Sequence, residues 1–284
     1  MPTTAIAQLR ARATLHTTLF GKARTHWHSW GQPGSQPPVL LLHGGSGSWT
    51  HWLRNIQSLV DAGRQVWVPD LPGFGDSDVP PGGVGRDADA MHAPLQLGLQ
   101  QLVGDAAVDV VGFSFGSMVG GFLAQVYPSR VARLVIVGAP ALGLVQRNTV
   151  PLKAWTHLTD PDAQAVQHRH NLTALMLFDP AGVDDDTLAL HIANVRRDRI
   201  PGRRLSYTDV LAKALQHIRC PVWAIYGRED ALYEGRVDEL AAALQAAPTF
   251  QSLLLVEKAG HWVQYECADA FNAALRQVLE AQPA

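Results

Sequence analysis

The chain has 284 residues, 47% hydrophobic and 17% charged, with a formal net charge of -2 at pH 7. This composition supports one large core and excludes a disordered chain, and near-neutrality without a long Lys/Arg run removes the electrostatic basis for binding nucleic acid or an anionic membrane. Cys220 and Cys267 form neither a C-x-x-C pair nor a disulfide framework and read as buried reduced thiols, while Gln8, Arg10 and Arg12 interrupt any signal-peptide core. No apolar span reaches membrane length, so a cytoplasmic protein is expected.

Thr14 to Phe20 and Ala23 to Trp30 predict two short strands turned at Gly21-Lys22. The apolar run Pro38 to Leu42 is of buried-strand type and ends in His43-Gly44-Gly45-Ser46-Gly47, ahead of a helix predicted from Trp52 through Ala62. Gln65 to Pro69 is a further buried strand, closing on the turn-rich stretch from Asp70 to Ser77, and a helix around Pro94 to Val103 follows. Val108 to Phe113 runs as strand into Ser114 and restarts as a small-residue helix ending near Tyr127-Pro128, after which Ala132 to Val137 predicts another strand. From Pro140 to about His217 the strand signal disappears and helical spacing takes over, with runs near Asp162 to Met176 and Asp186 to Asp198. This stretch is too long for a loop and reads as a helical insertion over the carboxyl edge of the sheet. Alternation resumes with a strand over Pro221 to Gly227, a helix from Arg236 to Ala246, a strand from Gln251 to Val256 and a helix from Ala268 to Ala281. The expected fold is α/β, a doubly wound, mostly parallel sheet with core segments 1–139 and 218–284 and an inserted helical cap at 140–217.

Gly112-Phe113-Ser114-Phe115-Gly116 has the form of a nucleophile elbow, in which flanking side chains would collide with the neighbouring strand and helix. In open α/β sheets ligands gather beyond the carboxyl ends of the strands, which singles out Ser114, Asp230 and His261. A serine hydroxyl needs a base to take its proton, the role of His261, and an acid to hold the imidazole, the role of Asp230. Asp230 is favoured over its neighbours Glu229 and Asp238, Asp70 reads as a structural turn residue, and His43 as a hydrogen-bonding brace. An oxyanion needs two donors, offered by the N–H of Phe115 and by that of Gly45 or Ser46, with the Ser46 side chain in reach. Trp49, Trp52 and Phe113 are expected to form apolar walls.

Together, His43-Gly44-Gly45, the Asp70 to Asp76 loop, the elbow, Gly227-Arg228-Glu229-Asp230 and Gly260-His261-Trp262 resemble the α/β-hydrolase superfamily across nearly the whole chain outside the insertion. The resemblance implies a Ser114, Asp230, His261 triad, a helical cap, no cofactor and no metal. The ending Gly260-His261-Trp262-Val263-Gln264-Tyr265-Glu266 is similar to that of the meta-cleavage-product hydrolases, which cut carbon–carbon bonds beside a ketone in vinylogous diketo acids. That likeness implies a cap arginine, Arg196 or Arg197, for the substrate carboxylate; a basic side chain reaching the cavity above Ser114 favours an acidic substrate. Trp262, next to His261, is also expected at the substrate. The group usually carries asparagine before the nucleophile, where this chain has Phe113, and ester or lactone hydrolysis suits the same machinery. Relatives acting on epoxides or halides use an aspartate at the elbow, against which Ser114 argues. The expectation is therefore a serine hydrolase of small acyl compounds, with a homodimer allowed. A receptor with little turnover and a cofactor-free, haloperoxidase-like perhydrolase are the alternatives on the same fold.

Overall fold

Side chains alternate across the strands, and this alternation divides the core in two in the computed structural model of the chain, which describes residues 4–80, 87–200 and 202–282. The strands are β1 (Thr14–Phe20), β2 (Ala23–Trp30), β3 (Val39–Leu42), β4 (Val66–Pro69), β5 (Val108–Phe113), β6 (Val131–Val137), β7 (Val222–Gly227) and β8 (Phe250–Val256). They form one eight-stranded sheet in the order β1-β2-β4-β3-β5-β6-β7-β8. The β1/β2 and β2/β4 pairs are antiparallel and all others parallel. Every residue of β3, β4, β5 and β7 is buried, as the largely apolar runs of central parallel strands require; the charged exception, Asp109 of β5, pairs with Arg64 at 2.5 Å.

The helices are α1 (Thr4–Ala11), α2 (Ile56–Asp61), α3 (His92–Val103), α4 (Phe115–Val126), α5 (Pro161–Asn171), α6 (Asp185–Val195), α7 (Val210–Leu215), α8 (Val237–Leu244), α9 (Val263–Glu266) and α10 (Ala268–Glu280). Leu40, Leu42, Val110 and Ile136 join Leu95 of α3 and Met118 of α4 in one core cluster. Val39, Leu41, Val111 and Val137 share the other with Trp52 and with Phe271 and Leu275 of α10. Registers pair Leu42 with Gly112, Phe113 with Val137 and Gly227 with Val256, so β3, β5, β6, β7 and β8 end along one rim. Among the described residues no helix is long and apolar enough to cross a membrane.

Several elements differ from expectation. The helix read from Trp52 to Ala62 breaks into a 3-10 turn at Trp49–Trp52 and α2, because the Ser48 hydroxyl accepts from Thr50 N at 3.3 Å and starts a separate turn. The run to Met176 is α5 followed by a π-helical turn at Leu172–Met176, and α6 stops at Val195. The acidic cluster at Asp184 caps α6, its carboxylate accepting from Thr187 N at 2.7 Å. α7 escapes the period argument by its length, yet buries Leu211 and Leu215 in the core. Both cysteines are free, but only Cys220 is buried, where burial pushes its thiol up to about 12; Cys267 is half-buried.

Candidate active site

The turn from β5 into α4 leaves very little room. Ser114 carries φ 50° and ψ -112°, a left-handed conformation that a non-glycine residue holds only when its surroundings impose it. Its N–H donates to Val137 O at 2.7 Å, and the Ser117 hydroxyl bridges Gly112 O and Val137 N. A Cβ at Gly112 would approach Gly116 O to 2.4 Å, and one at Gly116 would approach Leu42 O to 2.2 Å. Any side chain at either flank therefore forces backbone apart. Ser114 is half-buried and opens α4, whose first N–H belongs to Phe115.

Two further strand ends converge on the same rim. Asp230 follows β7, and His261 follows β8 through Ala259 and Gly260. A Cβ at Gly227 would meet Ala259 O at 2.1 Å, so the end of β7 lies directly against the histidine loop. His261 Nδ1 and Asp230 Oδ2 are 2.9 Å apart, with both side chains almost fully buried. The second carboxylate oxygen of Asp230 accepts from Leu232 N at 2.9 Å. A neutral imidazole that donates from Nδ1 keeps its lone pair on Nε2. Glu229 is spoken for elsewhere: its carboxylate accepts from Ala259 N at 3.0 Å, and Asp238 is exposed on α8. Glu266 accepts from the N–H groups of Gly260, Phe178 and Asp179 at 2.7, 3.1 and 2.7 Å, tying the histidine loop to the segment that precedes α6.

Ser114 and His261 line one cavity of about 560 Å³ together with Gly45, Ser46, Phe113 and Phe115. No hydrogen bond joins the Ser114 hydroxyl to another described residue. A Cβ on Gly44 would touch the Phe113 ring at 2.9 Å and stand 3.4 Å from Ser114 Cβ, and one on Gly45 would stand 3.7 Å from Phe115 Cβ. The glycine loop thus lies against the elbow. Two buried histidines hold it there. His43 Nε2 accepts from Leu71 N at 2.9 Å, so its proton is on Nδ1 and goes to Gly44 O at 2.8 Å; burial pushes this ring down to about 4. His51, held well below its ordinary value by burial, accepts from Gly44 N at 3.3 Å, and its ring fills the space beside Gly47. Asp70 is structural: its carboxylate accepts from Trp49 N and Asp76 N, each at 2.8 Å.

The wall formed by residues 140–217 departs from expectation. Val195 and Asp198 face the cavity, whereas Arg196 and Arg197 lie between them on the turn after α6 and do not line it. Arg196 donates to Gln164 and Arg197 pairs with Asp76. The arginine at the cavity is Arg203, five residues beyond Asp198 in an irregular stretch with no period to indicate direction. The Ser46 hydroxyl turns away from an oxyanion role and donates to Asp198 Oδ2 at 2.5 Å. Of the expected aromatic walls only Phe113 lines the cavity. Trp49 packs on Trp30 and His28, Trp52 is buried against Phe271, and Trp262 lies flat on Tyr265 at 4.0 Å between centroids, its indole N–H donating to His51 O. Trp155, Met176 and Tyr207 supply wall that sequence reasoning missed, since nothing in their spacing separates them from ordinary packing residues.

The alpha/beta hydrolase fold family matches residues 37–268. The chain is 28% identical over 258 residues to 2-hydroxy-6-oxo-6-phenylhexa-2,4-dienoate hydrolase of Burkholderia cepacia, covering 84% of this chain and 86% of that protein. It is 26% identical over 254 residues to 2-hydroxy-6-oxononadienedioate/2-hydroxy-6-oxononatrienedioate hydrolase of Comamonas testosteroni, with coverage of 84% and 86%. Among solved structures, a meta-cleavage product hydrolase from Pseudomonas fluorescens superposes with TM-score 0.72 at 24% identity, covering 93% of this chain and 96% of that one. An esterase from Rhodococcus sp. superposes with TM-score 0.74 at 21% identity, covering 95% and 99%.

Proposed function

The chain belongs to the alpha/beta hydrolase fold family, and from that premise we propose that this hydrolase acts on small acyl substrates with Ser114 as nucleophile, His261 as general base and Asp230 as the imidazole's partner. The observation that carries the reading is the buried 2.9 Å contact between His261 Nδ1 and Asp230 Oδ2 at the cavity into which the elbow brings Ser114. In the first half-reaction Ser114 Oγ bonds to the substrate carbonyl carbon as its proton passes to His261 Nε2, and the carbonyl oxygen takes the negative charge. The N–H groups of Phe115 and Gly45 receive that charge, an arrangement worth about 10² to 10³ in rate per donor. The imidazolium returns its proton to the leaving group as the tetrahedral adduct collapses, and water repeats the sequence on the acyl-enzyme. Residues 140–217 act as the cap that shields this chemistry from bulk water.

The bond cut is that of an ester or one between carbon atoms beside a ketone. The named relatives support the second class, since they are hydrolases of 2-hydroxy-6-oxo-dienoates. The esterase neighbour shares the architecture that supports the first. Replacing Ser114 with alanine is the direct test: kcat/KM on a p-nitrophenyl ester should fall by about 10⁴-fold or more with the fold intact by circular dichroism, and retained turnover would refute the reading.

A further inference from the structure

Arg203 is the one guanidinium lining the cavity among the described residues, and a lone arginine there would ordinarily announce a carboxylate ligand. Its donors are already committed. Nη1 donates to Asp198 Oδ1 at 2.9 Å and to Ile200 O at 2.7 Å; Nη2 donates to Asp198 Oδ2 at 2.9 Å and to Ser46 Oγ at 3.3 Å. Four of the five N–H groups of a guanidinium are thereby used, leaving only Nε. On one side the group also packs against the rings of Phe74 and Phe115, at 5.1 and 5.5 Å from the guanidinium carbon to the ring centroids. Asp198 is closed in the same way, since Oδ1 also accepts from Ile200 N at 2.9 Å and Oδ2 from the Ser46 hydroxyl.

The other charged wall residue, Asp87, spends its carboxylate on the N–H groups of Ala88, Arg204 and Leu205. The described lining residues thus carry two carboxylates, Asp87 and Asp198, and one guanidinium. Among the described lining residues, a substrate carboxylate entering here would have to displace Asp198 from Arg203 or become a second anion on one half-buried, already paired cation, reached through Nε alone. The remaining wall includes Trp155, Leu175, Met176, Val195 and Leu232.

Resting on the proposed hydrolase reading, we infer that the substrate is uncharged at the acyl group, and that Asp198 is the specificity-determining residue that neutralises Arg203 and excludes anionic acyl groups. The site thus suits a neutral aliphatic or aromatic ester and disfavours the acidic dienoates after which the relatives are named. The same contacts hold Ser46, a non-glycine residue at φ 53°, and so fasten the glycine loop to the insertion.

The test compares p-nitrophenyl pentanoate with the mono-p-nitrophenyl ester of glutaric acid, which share a leaving group and acyl length and differ in one terminal carboxylate. The wild-type protein should prefer the neutral ester by about 100-fold in kcat/KM, and Asp198→Asn should shrink that preference by about tenfold or more through faster turnover of the anionic ester. The same two esters titrated calorimetrically into Ser114→Ala give the binding preference without turnover, so the inference stays testable should Asp198→Asn fail to fold. Equal or tighter binding of the anionic ester by Ser114→Ala, or an unchanged ratio in folded Asp198→Asn, overturns the inference. Turnover by Ser114→Ala instead overturns the catalytic reading and leaves the charge preference to be judged from the wild-type ratio.

Discussion

His261 Nδ1 lies 2.9 Å from Asp230 Oδ2, although 31 residues separate the two in sequence and each sits on the loop after a different strand. β7 and β8 are adjacent and parallel in the sheet, so loops at their carboxyl ends meet without any long excursion of the chain. The carboxylate accepts from Nδ1 and thereby leaves Nε2 with a lone pair. In Asp230→Asn the amide can present its own N–H and favour the opposite tautomer. The expected result is a fall in kcat of about 10⁴-fold with little change in melting temperature, measured by steady-state kinetics and differential scanning fluorimetry.

The glycines flanking Ser114 answer to backbone rather than to flexible side chains. Alanine at Gly116 would place Cβ 2.2 Å from Leu42 O, a contact that separates β3 from α4 and moves the Phe115 N–H. Gly116→Ala should lose about 1–3 kcal/mol of stability or more and most activity, read from urea unfolding and kcat on the same preparation.

Acid should weaken the protein through its buried histidines. His43 is buried in the folded state and held down to about 4 from an ordinary value of 6.5. Between those values the unfolded chain takes up a proton that the folded chain refuses, so stability is full above 6.5 and declines as pH falls toward 4. The difference corresponds to about 3 kcal/mol once both states are protonated. Urea midpoints measured from pH 7 to 4.5 should fall for the wild type. His43→Gln should start lower and decline less steeply.

Much of this arrangement is legible in the sequence, for physical reasons that differ from part to part. Val39 to Leu42 and Val108 to Phe113 stand out because central parallel strands are buried on both faces and cannot alternate. The elbow is legible because the close approaches at Gly112 and Gly116 tolerate no side chain. Side-chain directions around the end of α6 are hidden. Arg196, Arg197 and Arg203 are chemically alike, and which one meets the cavity depends on where α6 stops and on the partners Gln164, Asp76 and Asp198, all of them tertiary facts. Trp262 adjoins His261 and so suggests a place at the substrate, yet its ring is fully buried against Tyr265.

Glu266 joins two parts of the molecule through three backbone donors, Gly260 on one side and Phe178 and Asp179 on the other. Glu266→Ala leaves those donors without their carboxylate. Melting temperature should drop by a few degrees, matching a loss of about 1–3 kcal/mol, and hydrogen exchange should quicken at residues 176–180 and 259–262 together. Faster exchange in only one of the two segments would show that the carboxylate does not couple them.

The central claim is that the Ser114 hydroxyl is the group that bonds to the substrate carbonyl, activated from the His261 side of the cavity. Its most direct test is to treat the wild-type protein and His261→Ala with a fluorophosphonate and to map the adduct by peptide mass spectrometry. The wild type should carry one phosphonyl group, on Ser114, and labelling should slow by orders of magnitude in His261→Ala. Labelling at another residue, or equal rates in the two proteins, would contradict it.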